Sequence, residues 1–162
     1  MINIIYLLGI IHVLGDFYFQ SEKIAVNKKE KKKYLFIHLL ILLVISAVFL
    51  AIFGFGIKLL IVLTINLMAH SIIDGIKYCF NKRIDKNNRY EKIVYCTDQL
   101  LHITTMFILA FIYKDKSLFG SNWAIHTEKI LKFFPLILAV LLNGKPANIT
   151  FKILFSSFKP KT

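Results

Sequence analysis

The residues in this chain best suited to chemistry are histidines and aspartates placed inside apolar runs. His12 and Asp16 are four residues apart, as are His70 and Asp74, and as are Asp98 and His102. On a helix, residues at i and i+4 lie on one face, so each pair presents an imidazole beside a carboxylate. Around them stand Gln20, Asn66, Lys77 and Gln99, also at helical spacings from the pairs, and a single histidine, His38, opens another apolar run. A central aspartate in a membrane-length helix costs roughly 2.5–3.5 kcal/mol on insertion scales, and such groups mark functional sites by default. Imidazole suits zinc, iron, nickel or copper, and carboxylate suits magnesium or manganese. A mixed His/Asp set therefore admits zinc, manganese or iron. The metal-ligand candidates are His12, Asp16, His38, His70, Asp74, Asp98 and His102. Gln20, Asn66 and Gln99 are candidates to orient ligands or substrate, and Lys77 is a candidate to meet a phosphate.

The elements that must position these residues are membrane-length helices. The chain has 162 residues, of which 57% are hydrophobic, and its mean hydropathy is positive. The pattern predicts an all-α polytopic transmembrane bundle forming a single integral-membrane domain. Spans are expected at about residues 2–19, 34–53, 57–80, 93–113 and 124–143, followed by a short interfacial helix at about 147–158. The last span is the least regular, because Pro135 interrupts it. The first apolar run lacks a basic leader and a small-residue cleavage site, so it reads as a retained helix. Gly54-Phe55-Gly56 supplies a tight turn between the second and third spans.

The formal charge of +12 raises the possibility of nucleic acid. Its lysines and arginines are concentrated between apolar runs, however, which fits membrane topology and anionic lipid head groups instead. Lys23, Lys28, Lys29, Lys31, Lys32 and Lys33 fill the first link; Lys82, Arg83, Lys86, Arg89 and Lys92 fill the third. Basic short links stay in the cytoplasm, which predicts an N-terminus outside and a C-terminus inside. Trp123 suits an interface, and Cys79 and Cys96 fall near segment ends on the cytoplasmic side, where reduced thiols are expected. In this topology every His and Asp of the first four spans falls in the cytoplasmic third of the bilayer. His126 alone lies in an outer link.

A shared depth favours one composite site over three separate pairs. A metal there would polarise a phosphoryl or carbonyl oxygen, and a substrate reaching it from the cytoplasmic leaflet would be a lipid or a phosphorylated amphiphile. This is the expectation of a membrane-embedded metal-dependent hydrolase. Two other readings compete. The same residues serve proton or cation paths in transporters, although the outer halves of the spans are nearly all apolar and a through-path would need a homo-oligomer. Alternatively, the pairs are helix-to-helix glue, worth only about 0.6–2 kcal/mol each.

As a set, HVLGDFYFQ (His12 to Gln20), AHSIIDGIK (Ala69 to Lys77) and DQLLH (Asp98 to His102) resemble domain of unknown function 3307, a family of small bacterial and phage membrane proteins. The resemblance spans about Leu8 to Tyr113 and carries His12, Asp16, Phe17, Gln20, His70, Asp74, Lys77, Asp98, Gln99 and His102, with His38 as a looser match. It implies a protein of the bacterial inner membrane and supplies no reaction.

Overall fold

A computed structural model describes residues 2–81, 88–114 and 129–155. The described residues are helical, with no strand among them. Helix α1 spans Ile2–Val13 and runs straight into a π-helical turn, Leu14–Tyr18. Then follow α2 (Glu22–Asn27), α3 (Lys32–Ile52), α4 (Ile57–Asn81) and α5 (Asn88–Ile112). The chain ends in α6 (Phe134–Asn143) and α7 (Lys145–Leu154).

Four stretches are long and apolar enough to cross a membrane: Lys32–Ile52, Ile57–Asn81, Arg89–Ile112 and Lys129–Leu154. The apolar stretch Ile4–Tyr18 is shorter. Large apolar side chains stand exposed all along the outside, among them Phe36, Val44, Met68, Phe107 and Phe111. Water would penalise so large an apolar surface, whereas lipid would not.

Helix α1 is the axis of the bundle. It packs against α3, α5 and α6, while α4 packs against α3 and α5. It is apolar on every side and buried on nearly every side, through Ile4, Leu7, Leu8, Ile10 and Ile11, as an element enclosed by others must be. Leu59, Val62 and Leu63 of α4 and Met106, Leu109 and Ala110 of α5 close round it, joined by Phe53, Leu131 and Phe134. The same buried face of α4 then changes character, continuing through His70, Asp74, Tyr78 and Asn81.

Several boundaries differ from the hydropathy reading. The first link is not merely a polar connector. Ser21 accepts a hydrogen bond from the Ile24 backbone N–H at 3.4 Å and caps the short helix α2, as a serine at N-cap does. Helix α5 begins earlier than residue 93, because the polar residues 88–92 add a helical turn ahead of the apolar run. The last span divides: Pro135 sits in the first turn of α6, where its missing N–H costs nothing. A second break at Gly144 separates α6 from α7, and the Tyr18 hydroxyl lies where a side chain on Gly144 would stand. Tyr18 donates to the Leu141 carbonyl at 2.9 Å, so the break is anchored to the end of the first span. The turn between α3 and α4 uses positive φ at Gly54 (86°) and Phe55 (52°). Trp123 and His126, and the links at 82–87 and 115–128, lie outside the described residues, as do residues 156–162 at the end of the expected interfacial helix.

Candidate metal centre

The π-helical turn is where the centre begins. Phe19 N–H bonds to the Leu14 carbonyl at 2.8 Å, a span of five residues that widens the helix locally. Gly15 lies inside that turn, and a Cβ there would strike Leu42 of α3. The missing side chain therefore lets the end of the first span approach α3 closely. This brings the Asp16 carboxylate to 3.4 Å from His38 Nε2 on α3 and 3.4 Å from His70 Nε2 on α4.

His38 is fully buried. Its Nε2 is 3.1 Å from His70 Nε2 and 3.2 Å from Asp74 Oδ2. His70 Nε2 is in turn 3.6 Å from Asp74 Oδ2. Four ligand-type atoms, from α3, α4 and the first span, are thus tied by five separations of 3.1–3.6 Å. Atoms bound to one metal at ordinary metal–nitrogen and metal–oxygen lengths stand about 3.0–3.6 Å apart in tetrahedral or cis-octahedral arrangements. The donor types and their spacing fit a divalent cation.

Helix α5 closes the other side. His102 Nε2 lies 3.6 Å from Asp98 Oδ1 and 3.9 Å from Asp74 Oδ1. Its ring stacks on His70 with centroids 4.1 Å apart and planes at 25°. Gln99 links the remaining histidine to the group: its amide donates to Asp98 Oδ2 at 3.2 Å, and its Oε1 faces His12 Nε2 at 3.3 Å. Three overlapping triads have ligand atoms all within 4.8 Å of one another: His12/His70/His102, Asp16/His38/His70 and Asp74/Asp98/His102. Among the described residues, buried atoms without a hydrogen-bond partner gather here: His12 Nδ1, Asp16 Oδ1, Asp74 Oδ1, Asp98 Oδ1 and His102 Nε2. A buried polar atom left unpaired is costly, and such a concentration points to a ligand that would satisfy them.

The structure therefore brings all seven His and Asp candidates into one cluster. His38, which the sequence leaves as a lone histidine near a span end, stands at its middle. Asn66 lies toward the apolar interior and lines a cavity of about 10 Å³ with His12, His70, His102, Thr105 and Met106, room for about one water molecule. Gln20 is buried, but its Oε1 finds no hydrogen-bond partner among the described residues. Lys77 is not free at the rim to meet a phosphate, because its ammonium is 2.6 Å from Asp98 Oδ2 and is committed to that carboxylate. The long lysine side chain on α4 reaches across to α5, where the acidic partner is nearer than solvent.

Lys28 is the residue that sequence reasoning missed. It is buried, and its Nζ lies 3.2 Å from Asp74 Oδ2. Burial by itself disfavours the ammonium, but the Asp16 and Asp74 carboxylates beside it raise its pKa above the ordinary lysine value. The first link thus folds inward at the end of α2 and places one cation of its lysine run against the cluster.

An all-helical bundle with membrane-length helices and a buried His/Asp centre defines the class. The chain belongs to the family described as Protein of unknown function (DUF3307), whose model matches residues 4–134. That match contains every candidate ligand and Lys28, and it ends at the start of α6. No curated protein and no solved structure matches the chain.

Proposed function

We propose that this protein is a multi-pass membrane enzyme, a metal-dependent hydrolase that acts from the cytoplasmic leaflet on a lipid or a phosphorylated amphiphile. The observation that carries this reading is the convergence of seven His and Asp side chains from four spans into overlapping triads of metal-ligand geometry. Bundles build metal centres in this way, from inward-facing residues on several helices. The basic first and third links support the cytoplasmic orientation, and the bilayer and its anionic head groups are the expected surroundings.

A divalent cation bound here would supply Lewis-acid polarisation of a phosphoryl or carbonyl oxygen and acidify a water. Zinc, manganese and iron suit the donor set. The chain's own residues do the rest. Gln99 donates to Asp98, which turns its Oε1 toward His12. That acceptor holds the His12 proton on Nε2 and leaves Nδ1 with a free lone pair. His12 also lines the small cavity, and its Nδ1, 3.9 Å from the Asp16 carboxylate, is the nitrogen left to take the proton of an attacking water. Lys28 and Lys77 hold positive charge against the carboxylates and oppose the negative charge that develops on the substrate. Hydrolysis then joins the water oxygen to the phosphorus or acyl carbon, breaks the ester bond, and returns the proton to the leaving oxygen.

A non-enzymatic reading rests on one specific observation. Lys28 and Lys77 already pair with two of the three carboxylates, so the cluster is partly neutralised without any other cation and can serve as helix-to-helix glue or as a cation- or proton-binding site. The apolar core on the far side of the cluster opposes a proton path through a single chain. Metal analysis of detergent-purified protein separates these readings. The hydrolase reading expects bound or bindable divalent metal, its loss in His70→Ala and Asp98→Ala, and release of phosphate or acid from an amphiphilic ester. It fails if no metal is taken up, or if both variants retain metal in full.

A further inference from the structure

The Asp74 carboxylate faces two different sets of ligands, one with each oxygen. Oδ2 lies 3.2 Å from His38 Nε2 and 3.6 Å from His70 Nε2, beside Asp16. Oδ1 lies 3.9 Å from His102 Nε2, beside Asp98, and has no hydrogen-bond partner among the described residues. The triads Asp16/His38/His70 and Asp74/Asp98/His102 share no member, so the first can be occupied without taking a ligand from the second. A carboxylate with one oxygen turned to each of two ligand sets is the arrangement that bridges a pair of metals about 3.5–4 Å apart.

We propose that the centre binds two divalent cations bridged by Asp74, one held with Asp16, His38 and His70 and the other with Asp98 and His102, and that the pair takes a phosphate group as its ligand. This deepens the hydrolase reading and rests on it. Charge supports the phosphate. Three carboxylates against Lys28 and Lys77 leave the cluster one unit negative. Two divalent cations reverse that to three units positive inside an apolar bundle, where an uncompensated charge is expensive. A dianionic phosphate monoester offsets most of it, whereas a neutral carboxylic ester offsets none. Lys28, 3.2 Å from Asp74 Oδ2, adds a further positive charge beside the bridging carboxylate.

The test is manganese titration of the full-length protein in phosphatidylcholine nanodiscs, read by metal content and by electron paramagnetic resonance. Two equivalents per chain with the spectrum of an exchange-coupled pair are expected. Asp98→Asn, which keeps the volume of the side chain and an acceptor for Lys77, should bind one equivalent and show only the signal of isolated manganese. Asp74→Asn should lose the coupling. Inorganic phosphate should perturb the coupled spectrum of the wild type at concentrations at least tenfold below those that alter the isolated-manganese signal of Asp98→Asn. Phosphatidic acid mixed into the nanodisc should act likewise if the phosphate comes from a lipid, and should have no effect if only free phosphate fits. One equivalent at saturation in the wild type, or two equivalents with independent signals, overturns the cation pair and leaves the hydrolase reading standing. Failure of both phosphate sources overturns the ligand assignment. No manganese uptake at all, together with no zinc or iron, removes both readings together.

Discussion

The same helices build two unlike regions. Toward one end, α1, α4 and α5 meet through Leu7, Leu8, Leu59, Val62, Leu109 and Ala110, a close-packed apolar core. A few turns further along, the same faces carry His12, His70, Asp74, Asp98 and His102, with several buried polar atoms unpaired. The core has nothing to satisfy and fixes where the helices lie. The polar region adds little such packing, and its orphaned donors and acceptors oppose its assembly. The comparison teaches a division of labour within single helices: apolar packing sets the separations, and the polar end inherits them as ligand spacing.

That division can be broken in graded ways. The largest effect is expected from Lys28→Met. Removing a buried cation leaves Asp74 uncompensated and should cost about 3–5 kcal/mol in metal-free protein, measured by unfolding in detergent. Added divalent metal should recover part of the loss. Lys29→Met in the same link, which removes an exposed partner 4.0 Å from Glu91, should change stability by less than about 1 kcal/mol. If the two variants match, Lys28 is not held in the cluster. Next, Leu59→Ala in the apolar region should cost about 2–4 kcal/mol while metal stoichiometry stays unchanged. A loss of metal with it would mean that the two regions are not separable. Gly15→Ala should cost about 1–3 kcal/mol through its collision with Leu42, and unlike Leu59→Ala it should also weaken metal binding by drawing Asp16 off His38. The smallest stability effect in the site belongs to Asp98→Asn, about 1 kcal/mol in the metal-free state, since asparagine keeps the volume and an acceptor oxygen beside Lys77. If this variant instead unfolds as readily as Leu59→Ala, the polar region is glue.

Much of this was readable from residue spacing. The three His/Asp pairs follow from the helical period, and these are the pairs the structure brings into one cluster. The all-helical architecture follows equally from hydropathy. What spacing does not carry is anything that depends on which way a link turns. Lys28 is one of six lysines in a run, and only the capping of α2 by Ser21 and its inward fold distinguish it. Lys77 has the length to reach a membrane surface or a neighbouring helix, and composition does not choose between them. His38 has no partner at helical spacing within its own span; its partners are on other helices. The π-helical turn at Leu14–Tyr18 has no residue signature of its own; it packs on α3, while the helix before it packs on α5 and α6.

The widened turn makes chain length as sensitive as residue identity between His12 and Tyr18. An extra residue is accommodated there, so removing one, for example Phe17, would return the segment to regular α-helix and leave the helix on either side in register. Asp16 would lose the bulge that carries it toward His38 and His70, whereas Tyr18 would keep its place against the Leu141 carbonyl that anchors the break between α6 and α7. One deleted residue would thus act on the centre and spare the far break.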